Sequence, residues 1–297
     1  MLSRVVMVAS GLVALLLGAH RLLPDLGGVT PVVESVLPWF GAAVPVLLGV
    51  ACLTRSWPPV AATLVPALVW AFMFAPAFFR TPPGGPSDLS VLTLNVDAAN
   101  DDPEETLRGL VKDRDLIALQ EMTGPTRDRV SGLLRSRFPH HFTVATVGLW
   151  SRFPIVGARR VDVGLGWTRA LRAVVRTPKG RVTVYVMHLA SARPGETGDR
   201  DHTLAAARKL IEDDDSKHLL LLGDLNTATT DRQRNGLVPP LSDAQQEAGT
   251  GFGFTWPAGF PITRPDHILY RGLVATRAGV APAPGSDHRA AFAGLRL

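Results

Sequence analysis

The chain has 297 residues, 31 Lys/Arg against 26 Asp/Glu, and a formal net charge of +5 at pH 7. That surplus is too small to mark a nucleic-acid-binding surface by charge alone. The single cysteine, Cys52, excludes an intramolecular disulfide and a cysteine-based metal centre. The charge is unevenly placed. Met1 to Arg80 holds four basic residues (Arg4, Arg21, Arg55, Arg80) and two acids (Asp25, Glu34), leaving 27 basic and 24 acidic residues for the remainder. The first part has the composition of a membrane region, the second that of a soluble domain.

Three apolar runs fill the first 80 residues. Val5 to Gly18 is uncharged and extends toward His20–Leu23. A signal-peptide reading fails because no clean small-residue cleavage site follows and two further runs do. Leu37 to Thr54 is the second run, and Trp57 to Phe79 the third, long enough by the rule of about 20 residues to cross a bilayer. The prolines within them are compatible with membrane helices, whose neighbours satisfy the freed backbone groups. Trp39 and Trp57 stand near the starts of the second and third runs, as interfacial anchors do. Three spans put the two ends on opposite sides. Arg4 before the first and Arg55 between the second and third place the N-terminus in the cytoplasm and the following domain outside; Arg21 is offset by Asp25 and Glu34. The expectation is a membrane region over 1–80, a Pro/Gly linker over 81–87 and a soluble domain over 88–297.

In that domain Leu89 to Val96 alternates as a strand does and carries Asn95 near its end. Asp102-Pro103-Glu104-Glu105 reads as a helix start with a capping box, running to about Lys112. Leu116 to Leu119 is a short apolar strand followed by Gln120-Glu121. Val130, Leu133, Leu134 and Phe138 have helical spacing; Phe142 to Val147 reads as a strand, and Leu149 to Ile155 as an extended segment broken by Pro154. Ala170–Arg176 and Val182–Met187, joined through Pro178-Lys179-Gly180, read as a hairpin ending in His188. A helical stripe over 204–211 ends in Asp213-Asp214-Asp215, read as a solvated helix end. Leu219–Leu222 is a strand buried on both faces, followed by Gly223-Asp224-Leu225-Asn226. Asp243–Ala248 suggests a short helix, Pro265-Asp266-His267 opens a strand, and Ser286-Asp287-His288 precedes the last one.

An acid, amide or imidazole thus stands at one strand end after another: Asn95, Glu121, His188, Asp224 with Asn226, Asp266, and Asp287 with His288. Turns alone would favour Gly and Asn without this order. The donors suit phosphoester hydrolysis assisted by a hard cation, which takes carboxylate oxygen ligands, waters and substrate phosphate. Glu121 fits as the first ligand, Asp287–His288 as an acid–imidazole couple, and Asn95, Asn226 and His188 as neutral or switchable donors. His20, His140, His141, His202 and His218 read as bystanders.

The ordered set Leu94-Asn95-Val96, Leu119-Gln120-Glu121, Ser151-Arg152-Phe153-Pro154, His188-Leu189, Gly223-Asp224-Leu225-Asn226, Arg264-Pro265-Asp266-His267-Ile268 and Ser286-Asp287-His288 resembles the endonuclease/exonuclease/phosphatase superfamily. The resemblance covers roughly Ser87 to Leu297. It implies an α/β fold: two mixed β-sheets packed face to face with flanking helices, a four-layer sandwich of the DNase I type, here preceded by three transmembrane helices. It implies magnesium, or manganese in its place, bound by Glu121 with help from Asn95. Asp224 and Asn226 would orient nucleophile and phosphate, and His188 would donate to the phosphate. Asp287 would bind metal or pair with His288, and His288 would serve as base or phosphate-stabilising acid. Asp266 would hold a histidine, although His267 stands where the superfamily usually has an aromatic residue. A second acid found downstream of the Glu121 motif in the secreted nucleases has no counterpart.

The leader is similar to that of membrane-bound bacterial members associated with teicoplanin resistance, which implies lipid-linked phosphates of the envelope as substrates. Three readings follow. One is a membrane-anchored phosphoesterase outside the cytoplasm, with the bilayer and a phosphorylated substrate as partners and no obligate protein partner. Another is a tethered nuclease with Arg127, Arg129, Arg135 and Arg137 along a DNA groove. The third is a non-catalytic sensor on the same fold.

Overall fold

The computed structural model describes residues 1–24, 28–193 and 195–297; Asp25, counted above among the loop charges, lies outside them. The N-terminal region forms α1 (Leu2–Ala19), α2 (Val29–Ser35), α3 (Ala43–Leu53), α4 (Trp57–Phe74) and α5 (Pro76–Phe79), with 3-10 turns at His20–Leu22 and Leu37–Ala42. Leu2–Leu22 and Trp57–Phe74 are each apolar and long enough to cross a membrane. Val29–Ser35 and Leu37–Leu53 together form a pair bent by 63°, which makes a third span if counted as one. The bend lies ahead of the second run, which itself opens as the 3-10 turn and continues as α3. The third breaks at Pro76, which has no N–H to give the carbonyl four residues earlier.

Two contacts set the helices side by side. Ser10 Oγ lies 3.2 Å from Thr63 Oγ1, and the Gly18 Cα faces Val69, where an added Cβ would sit 3.9 Å from a methyl group. Residues 10 and 18 thus match 63 and 69, so α1 and α4 run parallel. A buried hydroxyl pair of this kind is how apolar helices satisfy polar side chains among themselves. Arg4 and Arg55 then lie at one end of the helices, and Arg21 and Arg80 at the other.

Among the described residues twelve strands follow: β1 (Leu89–Asn95), β2 (Leu116–Gln120), β3 (His140–Val144), β4 (Val147–Ser151), β5 (Ile155–Val161), β6 (Ala170–Thr177), β7 (Gly180–His188), β8 (Leu219–Asp224), β9 (Ser242–Asp243), β10 (Asp266–Arg271), β11 (Val274–Ala281) and β12 (Ala290–Arg296). The helices among them are α6 (Pro103–Arg108), α7 (Gly124–Leu134), α8 (Gly198–Glu212) and α9 (Ala244–Ala248). One sheet has the order β11-β12-β1-β2-β4-β3 and the other β5-β6-β7-β8-β10-β9. Each is antiparallel except for one central parallel pair, β1 with β2 and β7 with β8.

The facing sides of the two sheets share one core, in which Val91, Leu116, Ala118 and Leu149 meet Ala173, Val184, Val186, Leu220 and Leu222. The outer sides are covered separately. Leu92, Leu94, Ile117 and Leu119 lie under Leu107 of α6 and Val130 and Leu134 of α7. Tyr185, Met187, Leu219 and Leu221 lie under Leu204, Ala207 and Ile211 of α8. Burial on both faces explains the apolar runs of β2 and β8.

Several local readings shift. The strand expected at 142–147 is a hairpin, β3 to β4, that turns at Ala145 and Thr146, with Ala145 at φ +48°. The helix expected to reach Lys112 stops at Arg108; Asp102 caps it, accepting from Glu105 N at 3.2 Å. The acidic run after α8 is not simply solvated. Asp214 is buried and accepts from Arg172 Nε (2.7 Å), Tyr185 Oη (2.7 Å) and Ser216 N (2.9 Å). Burial alone would raise its pKa, but the bonds from Arg172, Ser216 and Tyr185 hold it well below the usual carboxylate range.

Gly223 sits at φ +148° with its Cα against the Met187 carbonyl, so a Cβ there would collide with backbone. Gly223→Ala is expected to lower stability by about 3–5 kcal/mol, read as a fall in the thermal midpoint. For Asp214 the depressed folded pKa means that its contribution is complete above the ordinary carboxylate value of about 4 and fades as pH falls below it. Asp214→Asn should cost about 1.5–3 kcal/mol at neutral pH and flatten the acid limb of a stability–pH curve.

Candidate active site

The strand registers bring the candidates to one rim. Asn95 pairs with Gln120 at the parallel ends of β1 and β2, and Glu121 follows at once. His188 pairs with Asp224 at the parallel ends of β7 and β8, and Asp266, entering β10 antiparallel, lies opposite Asp224. His288 stands just before β12, which neighbours β1. Chain ends of both sheets thus deliver chemistry to one edge of the sandwich.

Asn95 is the junction. Its Nδ2 donates to Glu121 Oε1 at 2.9 Å and to Asp224 Oδ2 at 3.1 Å. Its Oδ1 accepts from Asp97 N at 3.1 Å, and its carbonyl accepts from Ser286 Oγ at 2.7 Å. Its NH2 thus joins the two carboxylates, and its Oδ1, the atom through which an amide could ligate a cation, faces Asp97 N. His188 Nε2 lies 3.5 Å from Glu121 Oε1 and 3.7 Å from Asp224 Oδ2. Asp224 Oδ1 accepts from Asn226 N at 2.9 Å, and Asn226 Nδ2 donates to Leu189 O at 3.0 Å, so Asn226 braces the loop ends after β7 and β8. Glu121 and Asn226 occupy positive φ, +58° and +48°. Asn tolerates that region; for Glu it stores strain of order 1–3 kcal/mol, which folds concentrate at sites.

The second half of the site is a relay. His288 Nδ1 lies 2.7 Å from Asp266 Oδ2, which also accepts from Thr255 Oγ1 at 2.6 Å. The other ring nitrogen, Nε2, faces Asp224 Oδ2 at 3.8 Å. Asp266 is fully buried, while its neighbour His267 points to the opposite face, as alternation in a strand requires. There His267 Nε2 meets Thr227 O at 2.8 Å. Asp287, assigned from sequence to metal or to His288, is more than half exposed. It accepts from Trp256 Nε1 at 3.1 Å and lies 3.8 Å from His288. It belongs to neither of the two donor clusters found among the described residues, Glu121–His188–Asp224 and Asp224–Asp266–His288, each with ligand atoms within 4.8 Å of one another.

The two imidazoles are driven apart. Burial lowers His188 to about 4, opposed by Asp224 and reinforced by Arg169 and His288. Burial would also lower His288, but Asp266, Asp224 and Asp287 override it and raise it to about 10. At neutral pH His188 is a neutral donor or acceptor and His288 an imidazolium, the kind of separation that assigns distinct proton roles. Sequence reasoning missed Arg169. Its Nη2 lies 2.5 and 2.6 Å from the His188 ring nitrogens, and its guanidinium covers the Trp167 ring at 4.7 Å. No carboxylate pairs with it among the described residues, which leaves a cation beside the rim. A basic residue 19 positions before His188 gave no signal in the sequence; only the β6–β7 pairing places it there.

Residues 92–288 match the endonuclease/exonuclease/phosphatase family. The chain belongs to that family. Similar solved structures include D. rerio TDP2 complexed with a single-strand DNA product (17% identity, TM-score 0.60, covering 70% of this chain and 99% of that one). A mannosyl-6-phosphatase of Bacteroides thetaiotaomicron matches at 16% identity and TM-score 0.60, over 70% and 100%. A sphingomyelinase C from Streptomyces griseocarneus matches at 18% and 0.53, over 71% and 99%. At these identities the likeness shows the shared fold. No curated protein matches in sequence. Members of this family generally depend on a divalent metal. The Glu121 cluster fits one: a part-exposed carboxylate beside a buried one offers oxygens to a hard cation and leaves room for water. In the Asp266–His288 cluster, Oδ2 of Asp266 is held by Thr255 and His288, while its Oδ1 is buried without a hydrogen-bond partner.

In the metal-free protein an NMR titration should find His188 below and His288 above the ordinary imidazole value of about 6.5. Asp266→Asn should bring His288 down while leaving His188 low.

Proposed function

We propose that the protein is a membrane-anchored, divalent-metal-dependent phosphoesterase, with magnesium or manganese held by Glu121. The observation that carries this reading is the meeting of Glu121, His188, Asp224 and the Asp266–His288 pair at one rim. A bound cation would offset the charge of the phosphoryl group and polarise it toward attack. Neutral His188 is placed to donate to a non-bridging oxygen, with Arg169 supplying a second, charged donor. Buried Asp224, fixed by Asn95 and Asn226, is placed to orient the attacking water. The His288 imidazolium, held by Asp266, is placed to protonate or stabilise the oxygens that gain charge. Asp287 then acts through His288 and Trp256.

The substrate class we infer is a lipid-linked phosphate or a phosphodiester at the outer membrane surface. The docking of the N-terminal helices on the sandwich supports it. Trp39 Nε1 donates to Ile262 O at 2.9 Å and its ring stacks on Phe254 at 6.1 Å, in the loop that also supplies Trp256 to Asp287. Buried Glu34 pairs with Arg232 at 2.9 Å. These contacts keep the rim close to the apolar helices. A nuclease reading rests on the likeness to TDP2 bound to DNA. It is weakened because Arg129, one of the four basic residues on and after α7, is engaged by Glu104 and Asp102.

Purified full-length protein with magnesium should release phosphate or headgroup from a polyprenyl pyrophosphate or phospholipid, and lose that activity with a chelator. Glu121→Gln should reduce kcat/KM by about 10²–10³ without lowering the thermal midpoint. Preferential nicking of plasmid DNA, with a steep fall in affinity as salt rises, would instead favour the nuclease. Reporter fusions at the C-terminus test the extracytoplasmic placement.

A further inference from the structure

A cavity of about 410 Å³ lies between the N-terminal helices and the sandwich, to one side of the catalytic rim. Its walls differ in kind. The helix side contributes Pro38, Met73, Phe74 and Ala77, with Phe252 packed edge-on against Phe74 at 5.8 Å. The other side contributes Thr229, Gln245, Gln246 and Arg264. His20, Arg21 and Arg80 also line it, at the end of the parallel α1 and α4 nearest the sandwich, together with one acid, Glu247.

The charge around this cavity is not balanced. Arg21 has no partner among the described residues. Arg80 is matched by Glu247 at 3.7 Å and donates to Gln246 O. Behind the wall, Asp243 is the only carboxylate that pairs, among the described residues, with either Arg264 (2.8 Å) or Arg234. Its partner His267 is kept uncharged by burial, which lowers its pKa against the pull of Asp243. On the wall itself Arg21, Arg80 and Arg264 outnumber Glu247 by two, and Asp243 behind it is shared between Arg264 and Arg234, so the cavity carries a positive excess. His20 is 6% exposed, and its Nε2 is buried with no hydrogen-bond partner. Its Nδ1 lies 3.0 Å from Leu17 O. An imidazole nitrogen left this way costs free energy unless a ligand or water supplies the missing bond. The turn that carries it is fixed to the sandwich, since Arg232 donates to His20 O (2.8 Å) and Leu23 O (2.6 Å).

We propose that this cavity binds the phosphate headgroup of an anionic phospholipid. An apolar wall continuous with the spanning helices suits acyl chains, and a cationic, hydrogen-bonding wall at the membrane surface suits the phosphodiester. The site rests on the helices lying in a bilayer and is independent of any chemistry at the Glu121 rim.

The test uses the full chain in neutral detergent, titrated with phosphatidylglycerol, phosphatidylcholine or inorganic phosphate. Thermal midpoint and native mass spectrometry are the readouts. Phosphatidylglycerol should raise the midpoint and be retained as a one-to-one complex, while phosphatidylcholine and inorganic phosphate have little effect. Arg21→Gln, at an exposed position that does not threaten folding, should weaken that binding about tenfold, and Arg21→Gln/Arg80→Gln further. His188→Ala should leave it unchanged, which separates the cavity from the catalytic rim. Equal binding by native protein and the Arg21 variants overturns the proposal, as does an equal response to phosphatidylcholine or to inorganic phosphate. Loss of binding in His188→Ala would assign the lipid to the rim instead. Hydrolysis of a water-soluble diester, measured alongside, reports on the phosphoesterase reading separately.

Discussion

The bond on which the site depends is the donation from Asn95 to Asp224. β1 belongs to one sheet and β8 to the other, so this amide joins the two layers at their rim. The same side chain holds Glu121, and the same residue's carbonyl anchors Ser286, which in turn accepts from His288 N at 2.9 Å. A slip of either sheet by one residue would turn these groups to the wrong face. The interdigitated core beneath, with Val91 and Leu116 against Val184 and Leu222, is what forbids that slip.

The rim also shows how proximity sets proton affinity. His188 and His288 are both buried and both lie under 4 Å from Asp224. Burial lowers both; at His288 the carboxylate bonded at 2.7 Å overrides it, whereas at His188 the neighbouring Arg169 reinforces it. One residue type thus provides a neutral donor and a charged one a few ångströms apart.

The N-terminal helices are joined to the sandwich by specific contacts. The Glu34–Arg232 pair is fully desolvated on the acid's side, and removing either partner would strand a buried charge. Arg232 also ties down the turn after α1, and Trp39 inserts among Phe254 and Phe260. These bonds fix how the sandwich sits on the helices, and with it the distance from the catalytic rim to the apolar segments.

Much of the fold was legible from local pattern. The leucine run before Gly223, the alternation of β1 and the β6–β7 hairpin declare themselves because a strand buried on one or both faces must be apolar in a fixed rhythm. β5 and β11 left no such mark. β5 is an exposed edge rich in Arg and Gly, and β11 is built largely of Ala and Gly, so neither repeats large apolar residues. Ala145-Thr146 is a weak turn signal, which merged two strands into one. The order of polar residues at strand ends came from the sequence because each adjoins its own buried run. Which of them meet was decided only by the closing of two sheets on each other. Pairing within the second sheet took Asp214 out of water and brought Arg169 to His188, strand alternation turned His267 away from the rim and Asp266 toward it, and Asp287 was left at the margin. Such contacts join residues tens of positions apart, and no local rhythm encodes them.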